Sequence, residues 1–143
     1  MKTSILKYLG VFVTYFIVDA SYQILFGLPF GQKIQAATGI QDIFATSPQN
    51  PELMLIWFAI MTLAIVKLVV EPAVASKSIK TAALKGILLG VTAYATLGLP
   101  NGWSLKDYPM GLVLEIVLEG FLFAPTAAVV TTWWLLKQQK LKP

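Results

Sequence analysis

Three carboxylate side chains stand inside apolar stretches of this chain: Asp19, Glu115 and Glu119. An ionisable group within a bilayer is costly, so it usually faces a protein interior, a partner chain or a water-filled cavity. Glu115 and Glu119 are four residues apart, which places them on one face of a helix. Carboxylates held together in this way can bind a cation or transfer a proton. These three residues are therefore the first candidates for a functional site.

The residue types that the chain lacks exclude several classes of chemistry. It contains no cysteine and no histidine, which excludes disulfides, zinc sites built on those residues and catalytic triads with a Cys-His or Ser-His pair. No cofactor is predicted. The sequence makes no prediction about a metal ion, and any such ion would need oxygen ligands. All 11 basic residues are lysines. The absence of bidentate arginine forks argues against nucleic-acid binding.

The composition predicts a protein of the lipid bilayer. Hydrophobic residues make up 57% of the 143 residues and charged residues 13%, whereas soluble domains carry about 25% charged residues. The apolar residues fall into four blocks, which predicts an all-α integral membrane protein with four transmembrane helices. The predicted spans cover residues 5–26, 53–70, 82–99 and 109–136 of a single domain, 1–143. Glycines and prolines after each of the first three blocks are taken as the helix ends.

The distribution of lysines predicts the orientation. Eight lysines fall on the side that holds both termini and the loop between spans two and three: Lys2, Lys7, Lys77, Lys80, Lys85, Lys137, Lys140 and Lys142. Only Lys33 and Lys106 fall on the other side, while Lys67 is expected to pair with Glu71 on its own helix. The positive-inside rule then places both termini in the cytoplasm of a multi-pass protein of the inner (plasma) membrane. Short loops favour an antiparallel four-helix bundle.

Polar side chains are expected to converge in the outer half of this bundle. Asp19 shares a helix face with Tyr22 and Gln23. At about 1.5 Å per residue, Asp19 lies roughly 10 Å from the outer surface, Glu115 about 9 Å and Glu119 about 15 Å, with Tyr94 at similar depth. We therefore predict an outward-facing cavity with six ligand-binding residues: Asp19, Tyr22, Gln23, Tyr94, Glu115 and Glu119.

The pair of glutamates carries an expectation about charge. Two carboxylates four residues apart repel each other when both are ionised, and burial disfavours the charge further. At least one of Glu115 and Glu119 is therefore expected to be protonated at neutral pH unless a cation lies between them. A structural alternative is open for Asp19, which could instead hydrogen-bond a nearby tyrosine and hold helices together.

Several short motifs resemble a known family. They are Lys7-Tyr8-Leu9, Asp19 followed by Tyr22, Tyr94-Ala95-Thr96, Asn101, Ser104-Leu105-Lys106, Pro109 and Gly120. Together they resemble the uncharacterised bacterial predicted membrane protein family called domain of unknown function 2177, whose members have about four spans. The resemblance implies the fold and no established activity. Asp19 matches the family pattern, whereas Glu115 and Glu119 are additions to it.

Three functions are compatible with these features. The first is binding or transport of a cation or small cationic solute by the carboxylates, with a homo-oligomer needed to complete a pathway. The second is a structural or accessory subunit of a membrane complex. In such a subunit, the acids meet a partner and the Gly86/Gly90 stripe serves close helix packing. The third is an intramembrane enzyme using paired carboxylates. The enzyme hypothesis ranks last because no phosphate-binding lysine and no activated nucleophile is expected at the depth of the carboxylates. We therefore favour a protein that is not an enzyme.

Overall fold

The computed structural model describes residues 2–38, 51–104 and 108–140, and within them every long element is a helix. The first membrane helix joins α1 (Lys2–Tyr22), a π-helical turn (Gln23–Gly27) and α2 (Leu28–Thr38). The second joins α3 (Pro51–Ala64), a π-helical segment (Ile65–Val70) and α4 (Glu71–Ala75). The third is α5 (Ile79–Ser104) and the fourth is α6 (Met110–Lys140).

Four helical stretches of the described chain are long and apolar enough to cross a membrane: Ile5–Ile34, Glu52–Ala75, Ile79–Ser104 and Met110–Lys140. This confirms the all-α, four-span prediction. Large apolar side chains on the outer faces are exposed, such as Leu9, Leu63, Leu88 and Leu118. Such faces are suited to lipid, because acyl chains are as apolar as leucine.

The predicted helix ends were wrong at several glycines and prolines. The first helix does not stop at Phe26 but continues through Gly27 and Pro29, and the third continues through Pro100. In lipid, a chain that leaves the helical conformation exposes backbone groups that water cannot satisfy, so helices tolerate these residues and adjust locally. The adjustments here are the two π-helical segments. At the end of the third helix, the hydroxyl of Ser104 donates a hydrogen bond to the carbonyl of Pro100.

Helices α5 and α6 pack backbone to backbone along a stripe of glycines. A Cβ atom built on Gly86 would lie 2.6 Å from Cα of Pro125, and one built on Gly120 would lie 2.6 Å from the carbonyl oxygen of Gly90. Real Cβ atoms do not approach other heavy atoms so closely. The small-residue stripe therefore serves packing within one chain, and it fixes where α6 holds its two glutamates relative to Tyr94 on α5.

An ion cluster joins the first two membrane helices at the end opposite the glutamate pair. The expected pair on the second helix is present, with Nζ of Lys67 3.1 Å from Oε1 of Glu71. Lys7 of α1 also pairs with Glu71, a contact between residues far apart in the sequence. Lys106 and Lys142, two of the lysines whose distribution predicts the orientation, lie outside the described residues.

Candidate functional site

Glu115 and Glu119 lie on the buried face of α6, one helical turn apart. Only 7% of Glu115 and 8% of Glu119 is exposed, although each sits beside outward-facing leucines, Leu114 and Leu118. The helical repeat explains the contrast, because residues four apart share a face while their neighbours in sequence point elsewhere. Both carboxylates therefore face the protein interior, where they meet the first membrane helix.

Gln23 links Glu119 to the first helix. Its amide Nε2 donates a hydrogen bond to Oε1 of Glu119 over 2.7 Å. The same side chain also interacts with Asp19, which precedes it by one turn and is partly buried. Gln23 thus lies between two carboxylates from opposite ends of the chain. Since Gln23 opens the π-helical turn, the position of its amide depends on that turn.

Glu115 has a different environment, because no hydrogen-bond or ion-pair partner faces it among residues 2–38, 51–104 and 108–140. A Cβ built on Gly27 would lie 3.2 Å from Oε1 of Glu115. Gly27 therefore lets the carboxylate approach the backbone of the π-helical turn. The electrostatic neighbours of Glu115 are Tyr22 and Glu119. A buried carboxylate without a partner is costly in the empty protein.

Gly27 was not among the predicted site residues. Gly27 was interpreted as marking the end of the first helix, because a glycine commonly follows the last helical residue. The signal that could have revealed it is the four-residue spacing between Gln23 and Gly27, which places both on the face that carries Asp19.

Tyr94 lies next to the carboxylates without hydrogen-bonding them. Its hydroxyl is 2.6 Å from that of Tyr15, and this buried pair links α5 to α1. The Tyr94 ring also packs edge-on against Trp57 and Phe123, at centroid distances of 5.9 and 5.8 Å. Glu119 and Asp19 still act on it electrostatically. Tyr94 therefore forms the inner wall of the carboxylate cluster and belongs to the aromatic core.

Asp19 lies deeper than the sequence predicted. The expected depth of about 10 Å took Phe26 as the outer end of the helix. The helix continues, so Asp19 lies near the middle of the span Ile5–Ile34. Gln23, one turn along the helix from Asp19, makes the hydrogen bond to Glu119. Asp19 therefore lies about one turn from the level of Glu119, close enough to act on it electrostatically.

The carboxylates do not form a metal-binding cluster. Among the residues that the structure describes, no group of three or more carboxylates is arranged to hold a metal ion. Instead, Glu115 lines a groove of about 540 Å³ between the first helix and α6. The groove walls are mostly apolar. This arrangement suits a single positive group beside a carboxylate better than a multidentate metal site.

Four apolar helices with a buried carboxylate cluster define a small multi-pass helical membrane protein. A comparison with protein families agrees: the chain belongs to the predicted membrane protein family called domain of unknown function 2177, which matches residues 4–133. That match confirms the resemblance found in the sequence. No curated protein and no solved structure matches the chain.

Proposed function

We propose that this protein binds a small cationic group at a site formed by Glu115, Glu119 and Asp19, as part of binding or transporting a cationic solute. The observation that carries the proposal is Glu115, which is 7% exposed, lines a groove and has no partner among the described residues. A cation in the groove would supply the missing partner. Gln23 and Gly27 position the glutamates, while Tyr22 and Tyr94 border them.

The experiment is a thermal-stability screen of the detergent-purified protein against inorganic cations and amines at several pH values. A ligand that binds the folded state stabilises it, by about 2.7 kcal/mol when the free ligand concentration is 100 times the dissociation constant. The melting temperature rises as a result. We expect an amine or monovalent cation to give such a shift, and Glu119→Gln and Asp19→Asn to reduce it. The shift should shrink at acidic pH, since protons compete with the cation for the carboxylates. Glu52→Gln, at an exposed position, is the matched control.

A structural role in a membrane complex is the second candidate, and the Gln23–Glu119 hydrogen bond favours it, because that bond joins two helices without any ligand. On this alternative no inorganic cation or amine stabilises the protein at any pH, in the wild type or in the Glu119→Gln variant. That outcome would contradict the binding proposal. A transport function would further require a second copy or a partner, since four spans are few for a complete pathway.

The direction in which the site opens depends on orientation. We propose that the protein lies in the inner membrane, with both termini and the loop around Ser76 on the cytoplasmic side, as the lysine distribution predicts. The chain has no cysteine, so single-cysteine variants give labelling without background. A membrane-impermeant maleimide added outside should label Ser104→Cys and spare Ser76→Cys in intact cells. The reverse pattern would place the carboxylates nearer the cytoplasmic surface.

A further inference from the structure

The groove beside Glu115 is lined along one wall by aromatic side chains of the first membrane helix. Tyr22, Phe26 and Phe30 follow one another at four-residue intervals, and all three line the groove. The rings of Tyr22 and Phe26 lie 5.8 Å apart. Leu114 and Leu118 of α6 form part of the opposite wall. The volume of about 540 Å³ is in the range of pockets that hold small organic molecules.

The two charged side chains that line the groove differ in how deeply they are buried. Glu115 is the only carboxylate among the described residues that line the groove, and it is buried, whereas Lys33 is exposed. The outer end is marked by Gly111, whose added Cβ would lie 3.1 Å from the neighbouring side chain of Ile34. Lys33 therefore lies about one helical turn outward of Glu115. A positive group reaching Glu115 would leave the lysine behind and enter an apolar, aromatic surrounding.

A strongly hydrated ion fits this surrounding poorly. Such an ion would have to exchange its water shell for one carboxylate and apolar walls. The free energy of desolvation would exceed the free energy gained from a single ionic contact. A cation whose charge is covered by apolar substituents loses little hydration. Aromatic faces attract such a cation electrostatically, and the attraction strengthens when water is excluded. Phe26 and Phe30 are also exposed on the outer surface of the bundle, so the groove is accessible from the lipid side.

From this arrangement we infer that the groove binds hydrophobic organic cations, such as tertiary or quaternary ammonium or phosphonium compounds, with the charge at Glu115 and the substituents against Tyr22, Phe26 and Phe30. The inference rests on the proposed function and specifies its ligand class. It adds that the ligand reaches the site from the bilayer and that the aromatic wall selects against small hydrophilic amines.

The test is equilibrium binding of radiolabelled tetraphenylphosphonium and of methylammonium to the protein in lipid nanodiscs, with empty nanodiscs subtracted. We expect saturable tetraphenylphosphonium binding that Glu115→Gln abolishes. The double variant Phe26→Leu/Phe30→Leu should weaken it by about 3- to 30-fold, the range that cation–π contacts give. Methylammonium should bind the wild type more weakly than tetraphenylphosphonium does. Phe121→Leu, at an exposed aromatic residue of α6 outside the groove, should bind like the wild type.

The outcomes separate the two proposals. Saturable methylammonium binding without tetraphenylphosphonium binding would overturn the inference and leave the proposed function standing. Binding of neither would overturn both. Tetraphenylphosphonium binding that Phe26→Leu/Phe30→Leu and Phe121→Leu affect equally would place the ligand elsewhere and overturn the inference. Binding in detergent that disappears in nanodiscs would mean that lipid chains fill the groove, which also overturns it.

Discussion

Replacing Glu115 with glutamine is expected to make the empty protein more stable while abolishing its response to cations. Glu115 is 7% exposed, and its carboxylate lacks a partner among the described residues. Leaving such a group unpaired costs about 1–3 kcal/mol or more when it is charged. The amide has nearly the same shape and never ionises. The glutamate must either be buried as an anion or take up a proton that the unfolded chain does not hold at neutral pH, so the melting temperature of the variant should rise by about 3 °C or more.

The comparison with Glu119→Gln makes this prediction specific. Glu119 accepts a hydrogen bond from Gln23, and a glutamine carbonyl could accept the same bond. That variant should therefore melt close to the wild type and lose only part of the cation response. The two measurements are melting temperatures with and without the best cation from the screen. A Glu115→Gln protein that melts below the wild type and keeps the full cation shift would contradict the assignment of Glu115 as an unpartnered binding group.

Replacing Gly120 with alanine is expected to destabilise the bundle strongly, although it adds only one methyl group. The new Cβ would lie 2.6 Å from the carbonyl oxygen of Gly90 and 2.9 Å from Cα of Val91. Both are backbone atoms, so α5 and α6 must move apart, at a cost of about 3 kcal/mol by the usual effect of overpacking. The displacement would also shift Glu119, the adjacent residue, away from Gln23.

The measurement is the midpoint of denaturation in mild detergent, together with the cation-induced shift. Ala59→Leu is the matched control, because it adds bulk on an exposed face of α3. It should leave both quantities unchanged. A Gly120→Ala protein as stable as that control would mean that the helices are packed less closely than the glycine contacts indicate.

The convergence of the polar residues could be predicted from helical spacing alone. Asp19 and Gln23 share one face of the first helix and Glu115 and Glu119 one face of the last, and an acid in an apolar span rarely faces lipid. The pairing between faces follows once the helices are antiparallel neighbours. The observed Gln23–Glu119 hydrogen bond is of this kind.

Other features depend on backbone geometry that spacing does not reveal. The π-helical turn at Gln23–Gly27 carries the first helix past glycine and proline residues that would end it in water, and it brings Gly27 against Glu115. Nothing in the residue types of that stretch distinguishes a π-helical turn from a helix end. The Lys7–Glu71 ion pair was also missed, because it joins residues on two helices whose relative height the sequence does not fix.

The proposed site places a cation at the pair of Glu115 and Glu119. When no cation is bound, at least one of these two glutamates should be protonated, because two adjacent ionised carboxylates are unfavourable in a site shielded from water. Binding of a cation should release that proton. Infrared difference spectroscopy of the purified protein at neutral pH, before and after addition of the best-binding cation, observes the carboxyl groups directly.

We predict that the cation removes a protonated-carboxyl band and that Glu115→Gln removes this difference signal. Unchanged carboxyl bands at a saturating cation concentration would show that the glutamates do not take part in binding, and would contradict the proposed cation site.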